Sequence, residues 1–162
     1  MQKNLERLVF CKNMPIEHIP VLLQEVIDGL DLVLGDVVFE GTVGLGGHSD
    51  AICRRIGARG IYIGTDQDNQ ALSKAEQRLA SSPCKKIFVE ENFRNLDLVL
   101  DNAGHTQVNK ILLDIGLSNL QLVGSGRGFS FKHDEPLLMT FRVDPHEGDI
   151  TAREIVNEWA VD

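Results

Sequence analysis

Four short runs of β-branched and apolar residues, separated by segments of helical period, constrain this chain more than any other feature. Asp36 to Glu40 (DVVFE), Gly60 to Thr65 (GIYIGT), Lys86 to Glu90 (KIFVE) and Lys110 to Asp114 (KILLD) read as strands. The segments between them read as helices. Ser49 to Ile56 has Ser49 as its N-cap and Gly57 just past its end, and Asn69 to Ala80 carries Ala71, Leu72, Ala75 and Leu79 on one face. Leu96 to Ala103 is closed by Gly104, and an earlier helix, Val21 to Leu30, follows Pro20. Such alternation predicts βαβ units, and the apolar middles of the second and fourth strands suit a parallel sheet covered on both faces. Right-handed crossovers then give the strand order 3-2-1-4 of a Rossmann-like half, so the predicted fold class is α/β.

After Asp114 the pattern changes. Residues 115–150 carry Gly, Ser, Asp and Pro throughout, with no sustained period. A structureless stretch of that length is uncommon inside a compact domain and is more often functional than idle. Thr151 and Glu154 then give a capping-box signature ahead of Ile155, Val156 and Trp159. The three cysteines, Cys11, Cys53 and Cys84, are odd in number and lack CxxC spacing, which predicts reduced thiols, no disulfide and no metal. No apolar run approaches the ~18–20 residues of a membrane helix, and the first ten residues hold no uninterrupted apolar stretch. The expected location is the cytoplasm, away from membranes.

The turn after the first strand reads Gly41-Thr42-Val43-Gly44-Leu45-Gly46-Gly47-His48-Ser49. Glycines there let the backbone turn sharply and approach a ligand, with the following helix's N–H groups aimed at it. Glu40 closes the first strand, and Asp66 closes the second, 20 residues beyond Gly46, where a carboxylate can accept both ribose hydroxyls of an adenosine. A dinucleotide fingerprint starting at Gly44 requires Gly or Ala at position 49, where Ser49 stands. S-adenosylmethionine lacks a pyrophosphate and calls for an acid near the glycines to hold its ammonium group, directly or through water. Glu40 suits that duty, so this cofactor is favoured over NAD. Asp114 ends the fourth strand and is expected to face the same crevice. A carboxylate accepting one N–H of an exocyclic amine would favour the pyramidal nitrogen and aim its lone pair at the cofactor methyl, by orientation and electrostatics.

At these residues the chain resembles a known family. His18-Ile19-Pro20-Val21-Leu22, the Gly41-Thr42…Gly46-Gly47-His48-Ser49 turn, Ile63-Gly64-Thr65-Asp66-Gln67-Asp68 and Asn92-Phe93 occur in order. Leu112-Leu113-Asp114-Ile115-Gly116-Leu117-Ser118…Gln121-Leu122 and Arg127-Gly128-Phe129-Ser130-Phe131 follow. Together they look like the RsmH (MraW) family, which uses S-adenosylmethionine to methylate N4 of a cytidine in the decoding centre of 16S ribosomal RNA. The resemblance implies a class I methyltransferase fold, with 18–122 as the cofactor-binding half. It implies that 123–162 is a loop and the start of an inserted helical substrate domain, and that 16S rRNA or the small ribosomal subunit is the partner. Gly46, Gly47 and His48 would line the cofactor site, Asp66 would hold the ribose, and Phe93, Asp114 and Gln121 would complete the pocket. Arg127, Phe129 and Phe131 would lie near the target base, as a phosphate partner and as aromatic surface for a flipped base.

The departures from the family pattern bear on the RNA more than on the cofactor. Glu40 replaces the usual Asp, Asn119 and Val123 replace a Ser and an Asp, and Leu138 and Thr140 stand where the family block has Asp and Arg. Residues 1–17 form an N-terminal extension; Met1 to Asn13 have no counterpart, so Met14 is a second candidate start. Family members are about twice this length, which leaves the later sheet strands outside these 162 residues. The Lys110–Asp114 strand is then an edge open to self-association. The net charge of −8 also lacks the basic footprint of a stand-alone nucleic-acid binder. Two rivals follow: a shortened relative that keeps the adenosine pocket without catalysis, and an NAD-dependent oxidoreductase. The second is opposed by Ser49 and by the lack of a hydride-transfer partner.

Overall fold

The computed structural model describes residues 20–122 and 125–160, so the N-terminal extension, His18 and Ile19 of the family motif, Cys11, Met14 and Val123 lie outside the described residues. A four-stranded parallel sheet in the order β3-β2-β1-β4 forms the centre. Its strands are β1 (Val37–Glu40), β2 (Ile61–Asp66), β3 (Lys85–Glu90) and β4 (Lys110–Leu112). Helix α1 (Leu23–Gly29) precedes the sheet, and α2 (Gly47–Ile56), α3 (Asn69–Arg78) and α4 (Leu96–Asn102) connect its strands, with a short 3-10 turn at Phe93–Asn95. The chain continues through α5 (Asn119–Leu122) to α6 (Ala152–Glu158). The order expected from right-handed crossovers is the order observed.

Strand alternation divides the core into two layers. Val38 and Tyr62 face α1, α2 and α3, and pack with Ile27, Ile52, Ile56, Leu72 and Leu79. Phe39 and Ile63, one residue on, face α4 and pack with Val99 and Leu100. Apolar burial on both faces is what a parallel sheet requires. Beyond β4 the sheet has no further partner among the described residues, and Ile111 and Leu113 remain exposed at that edge.

Three local expectations need correction. Helix α2 starts at Gly47, capped by Gly46 in the left-handed region (φ 74°), and Ser49 does not cap it because its hydroxyl bonds inward to Glu40. Strand β4 ends at Leu112, so Asp114 lies past the ladder; its N–H donates to Thr42 Oγ1 at 2.9 Å instead. Cys53 and Cys84 are joined as a disulfide with Cα atoms 5.3 Å apart, where separate thiols were expected. The capping box at Thr151 and Glu154 forms as read from the sequence.

The long segment after α5 is tied down by its arginines. Arg127 and Arg142 reach back to acids at the carboxyl ends of β2 and β3, and Met139 N–H donates to the Arg127 carbonyl at 2.7 Å. Among the described residues, no helix is long and apolar enough to cross a membrane.

Candidate functional site

The glycine turn is stitched to the strands on both sides. Gly41 N–H donates to the Leu112 carbonyl at 3.0 Å, and Val43 N–H donates to the Thr65 carbonyl at 3.1 Å. Gly44 (φ 52°) and Gly46 (φ 74°) take backbone conformations that L side chains resist. The turn opens onto a cavity of about 740 Å³ at the carboxyl ends of the strands, within the size range of small-molecule and cofactor pockets.

Of the residues singled out from the sequence, Gly47, His48, Asp66, Phe93, Asp114 and Gln121 line this cavity. Asp66 is bolted in place: Oδ2 accepts from Gly44 N–H at 2.8 Å and Oδ1 from Asp68 N–H at 2.9 Å. Burial raises its pKa, and those backbone bonds oppose the rise. Asp114 is 61% exposed, with the buried His48 ring's Nδ1 at 3.9 Å. His48 Nε2 lies 3.3 Å from the Val21 carbonyl, which only accepts, so that nitrogen carries the proton. Gln121 is buried, and its Oε1 accepts from Ser118 N–H at 2.8 Å.

Glu40 and Gly46 stand behind the wall. Strand alternation turns Glu40 toward the Val38 and Tyr62 layer, where it is 0% exposed. Its Oε2 accepts from Ser49 Oγ at 2.6 Å and from Tyr62 Oη, while Oε1 has no partner among the described residues. Burial pushes its pKa from 4.5 up to about 7; the Ser49 and Tyr62 bonds oppose this and the charges of Asp114 and Asp66 add to it. A direct contact between Glu40 and a bound ammonium group is therefore corrected to support from beneath. Gly46 packs on α3, where an added Cβ would meet Leu79 and Ala75.

The expected RNA residues separate. Arg127 is buried; its Nη2 donates to Asp68 Oδ2 at 2.8 Å and its Nη1 to the Phe141 carbonyl. It is a structural cation, not a surface phosphate partner, because that ion pair removes it from solvent. Phe129 is half-buried and packs on Phe141 with centroids 6.1 Å apart. Phe131 alone stands out, 98% exposed beside exposed Lys132 and His133.

Sequence reasoning missed Thr42, Tyr62, Asp68 and Phe141. For Tyr62, the chain's single tyrosine, a signal existed: its hydroxyl sits in an apolar strand and needs a buried partner. Among the described residues no His, Cys, Asp and Glu cluster could hold a metal ion.

A model of the MraW methylase family matches residues 15–162. A ribosomal RNA small subunit methyltransferase H of Carboxydothermus hydrogenoformans is 42% identical over 146 residues, covering 90% of this chain and 45% of the relative. The enzyme of that name from Finegoldia magna is 42% identical over 147 residues, covering 91% and 46%. The chain thus spans a little under half the length of these relatives. A solved protein-L-isoaspartate O-methyltransferase overlaps 59% of this chain and 29% of its own at TM-score 0.48 and 18% identity.

Proposed function

The chain belongs to the MraW methylase family, and from that premise we propose that it binds S-adenosylmethionine and serves methyl transfer to the N4 amine of a cytidine in small-subunit ribosomal RNA. The observation that carries this reading is the convergence of Asp66 and Asp114 on one cavity walled by Phe93 and Gln121. The residues fit the cofactor. Each Asp66 oxygen accepts one backbone N–H and keeps lone-pair capacity for a ribose hydroxyl. Phe93 and Leu117 give the cavity wall apolar surface, and Asp114 stands open to an amine. Glu40 supports the turn from beneath.

When bound, the cofactor supplies an electrophilic methyl on a sulfonium sulfur. Asp114 accepts an N–H of the target amine, which localises the nitrogen lone pair and orients it for in-line attack. The N–C bond would form as the methyl–sulfur bond breaks, with the electron pair left on sulfur to give S-adenosylhomocysteine. The nitrogen proton becomes acidic only then and would pass by way of Asp114 to solvent, so no strong base is needed. Thr42 holds the Asp114 backbone at the glycine turn. Phe131 is the residue left to offer a ring to RNA.

The test is calorimetric titration with S-adenosylmethionine and S-adenosylhomocysteine, for wild type and Asp66→Ala. Losing charge-assisted bonds should weaken binding by about 10- to 100-fold in Asp66→Ala. A folded wild-type chain that binds neither ligand refutes the reading. Transfer of labelled methyl to unmodified small subunits, and its loss in Asp114→Ala, checks the reaction itself. Cofactor binding with no transfer supports a module that keeps the pocket without catalysis.

A further inference from the structure

Acids crowd the carboxyl ends of β2 and β3, and several hold arginines. Asp68 caps α3, its Oδ1 accepting from the N–H groups of Gln70 and Ala71, while its Oδ2 takes Arg127 Nη2 at 2.8 Å. Both side chains of that pair are about 5% exposed. The same guanidinium donates through Nη1 to the Phe141 carbonyl. Arg142, the next residue, donates to Glu90 at 3.1 Å and lies 3.5 Å from Asp149. Phe141 is therefore pinned from both sides, through its own carbonyl and through its neighbour. Phe141 is 40% exposed, its ring is backed by Phe129, and the residue lines the cavity with Gln67, Glu91 and Asn92.

The sheet order sets a direction along the cavity. Asp114 and Ser118 lie at the β4 end, and Gln67, Glu91 and Asn92 lie at the β2–β3 end, with Asp66 between them. A cofactor that delivers its methyl to Asp114 and its ribose to Asp66 must extend its base toward β3, where Phe141 stands. We infer that Phe141 is the purine-facing wall of the cofactor cavity, with Arg127 and Arg142 as its positioning residues. This rests on the cofactor reading above. A pinned aromatic ring presents a flat apolar face at little further entropic cost, and every purine offers a π-face to it. The Arg-Gly-Phe-Ser-Phe block and the segment after it thus serve the cofactor as well as any RNA.

The experiment uses the whole 162-residue chain and S-adenosylhomocysteine as the probe. Titrations of wild type, Phe141→Ala and Phe141→Tyr are paired with nuclear Overhauser contacts from ring-labelled phenylalanine to adenine H2 and H8. Phe141→Ala should raise Kd by about tenfold, the low end of base–aromatic stacking, and Phe141→Tyr should restore binding to within about twofold of wild type. The adenine contacts should disappear in Phe141→Ala. Equal binding by wild type and Phe141→Ala, or adenine contacts from Phe93 alone, overturns the assignment and leaves the cofactor reading standing. A wild-type chain that binds no S-adenosyl ligand overturns both. Should Phe141→Ala fail to fold, the contacts in the wild-type protein decide.

Discussion

Glu40→Gln should flatten the pH dependence of stability. The Glu40 carboxyl is 0% exposed, and its pKa rises from 4.5 to about 7, chiefly through burial. Because it binds its proton more tightly folded than unfolded, the folded state carries more protons between those two values. Stability therefore falls as pH rises from about 4.5 to about 7 and levels off above. The gap, 7 − 4.5 = 2.5 units, corresponds to about 3 kcal/mol at about 1.4 kcal/mol per unit. Glutamine keeps an oxygen to accept from Ser49 and Tyr62 and never ionises. Its amide places an unpaired donor where Oε1 is now an unpaired acceptor, which returns about 1 kcal/mol of the gain. Urea unfolding followed by circular dichroism should find the two proteins similar near pH 5. Near pH 8 the variant should be more stable by about 2 kcal/mol, or about 4–8 °C in Tm. Parallel stability curves across that range, or a variant weaker at pH 8, would refute the reasoning.

Arg127→Ala leaves the buried Asp68 carboxylate without its counter-ion, with only the α3 N–H groups to offset its charge, so urea unfolding should show a loss of about 3 kcal/mol. Gly41→Ala places a Cβ 2.4 Å from Leu113 Cδ2 and 2.8 Å from Phe93 Cβ, with an expected cost of about 1–3 kcal/mol and weaker cofactor binding by calorimetry. Reduction of the Cys53–Cys84 bond frees a 31-residue separation and should cost about 3–4 kcal/mol, read as a drop in Tm on adding dithiothreitol. Phe131→Ala, at a ring 98% exposed, should leave urea stability within about 0.5 kcal/mol while weakening RNA retention in a filter-binding assay.

The sheet was legible because each strand is a short apolar run between turn signals, set off from the next by a segment of helical period. The glycine turn, Asp66 and Asp114 were legible because strand ends in such a sheet face a common crevice. Other features depended on distant partners that spacing does not encode. Ser49 reads as a cap in one dimension but bonds to Glu40 in three. Helix α1 starts at Leu23 because Leu22 adopts φ 55°, a conformation no apolar pattern reveals. Arg127 looks like a surface phosphate partner until Asp68, 59 residues away, takes it inside.

The strand order also sets a timetable. Strand β1 meets β2 across 61 − 37 = 24 residues and meets β4 across 110 − 38 = 72 residues. Tripling the loop adds about 1 kcal/mol of closure entropy, roughly fivefold in the rate of that encounter. Destabilising substitutions in β1 and β2 should therefore slow folding, whereas those in β4 should mainly speed unfolding; the opposite pattern in a chevron analysis would contradict this order. Asp66 reaches its position with the early pairing and Asp114 with the late one. The Asp66 side of the cavity is assembled before the Asp114 side, so a nascent chain forms the carboxylate that its backbone holds before the one that stands open to solvent.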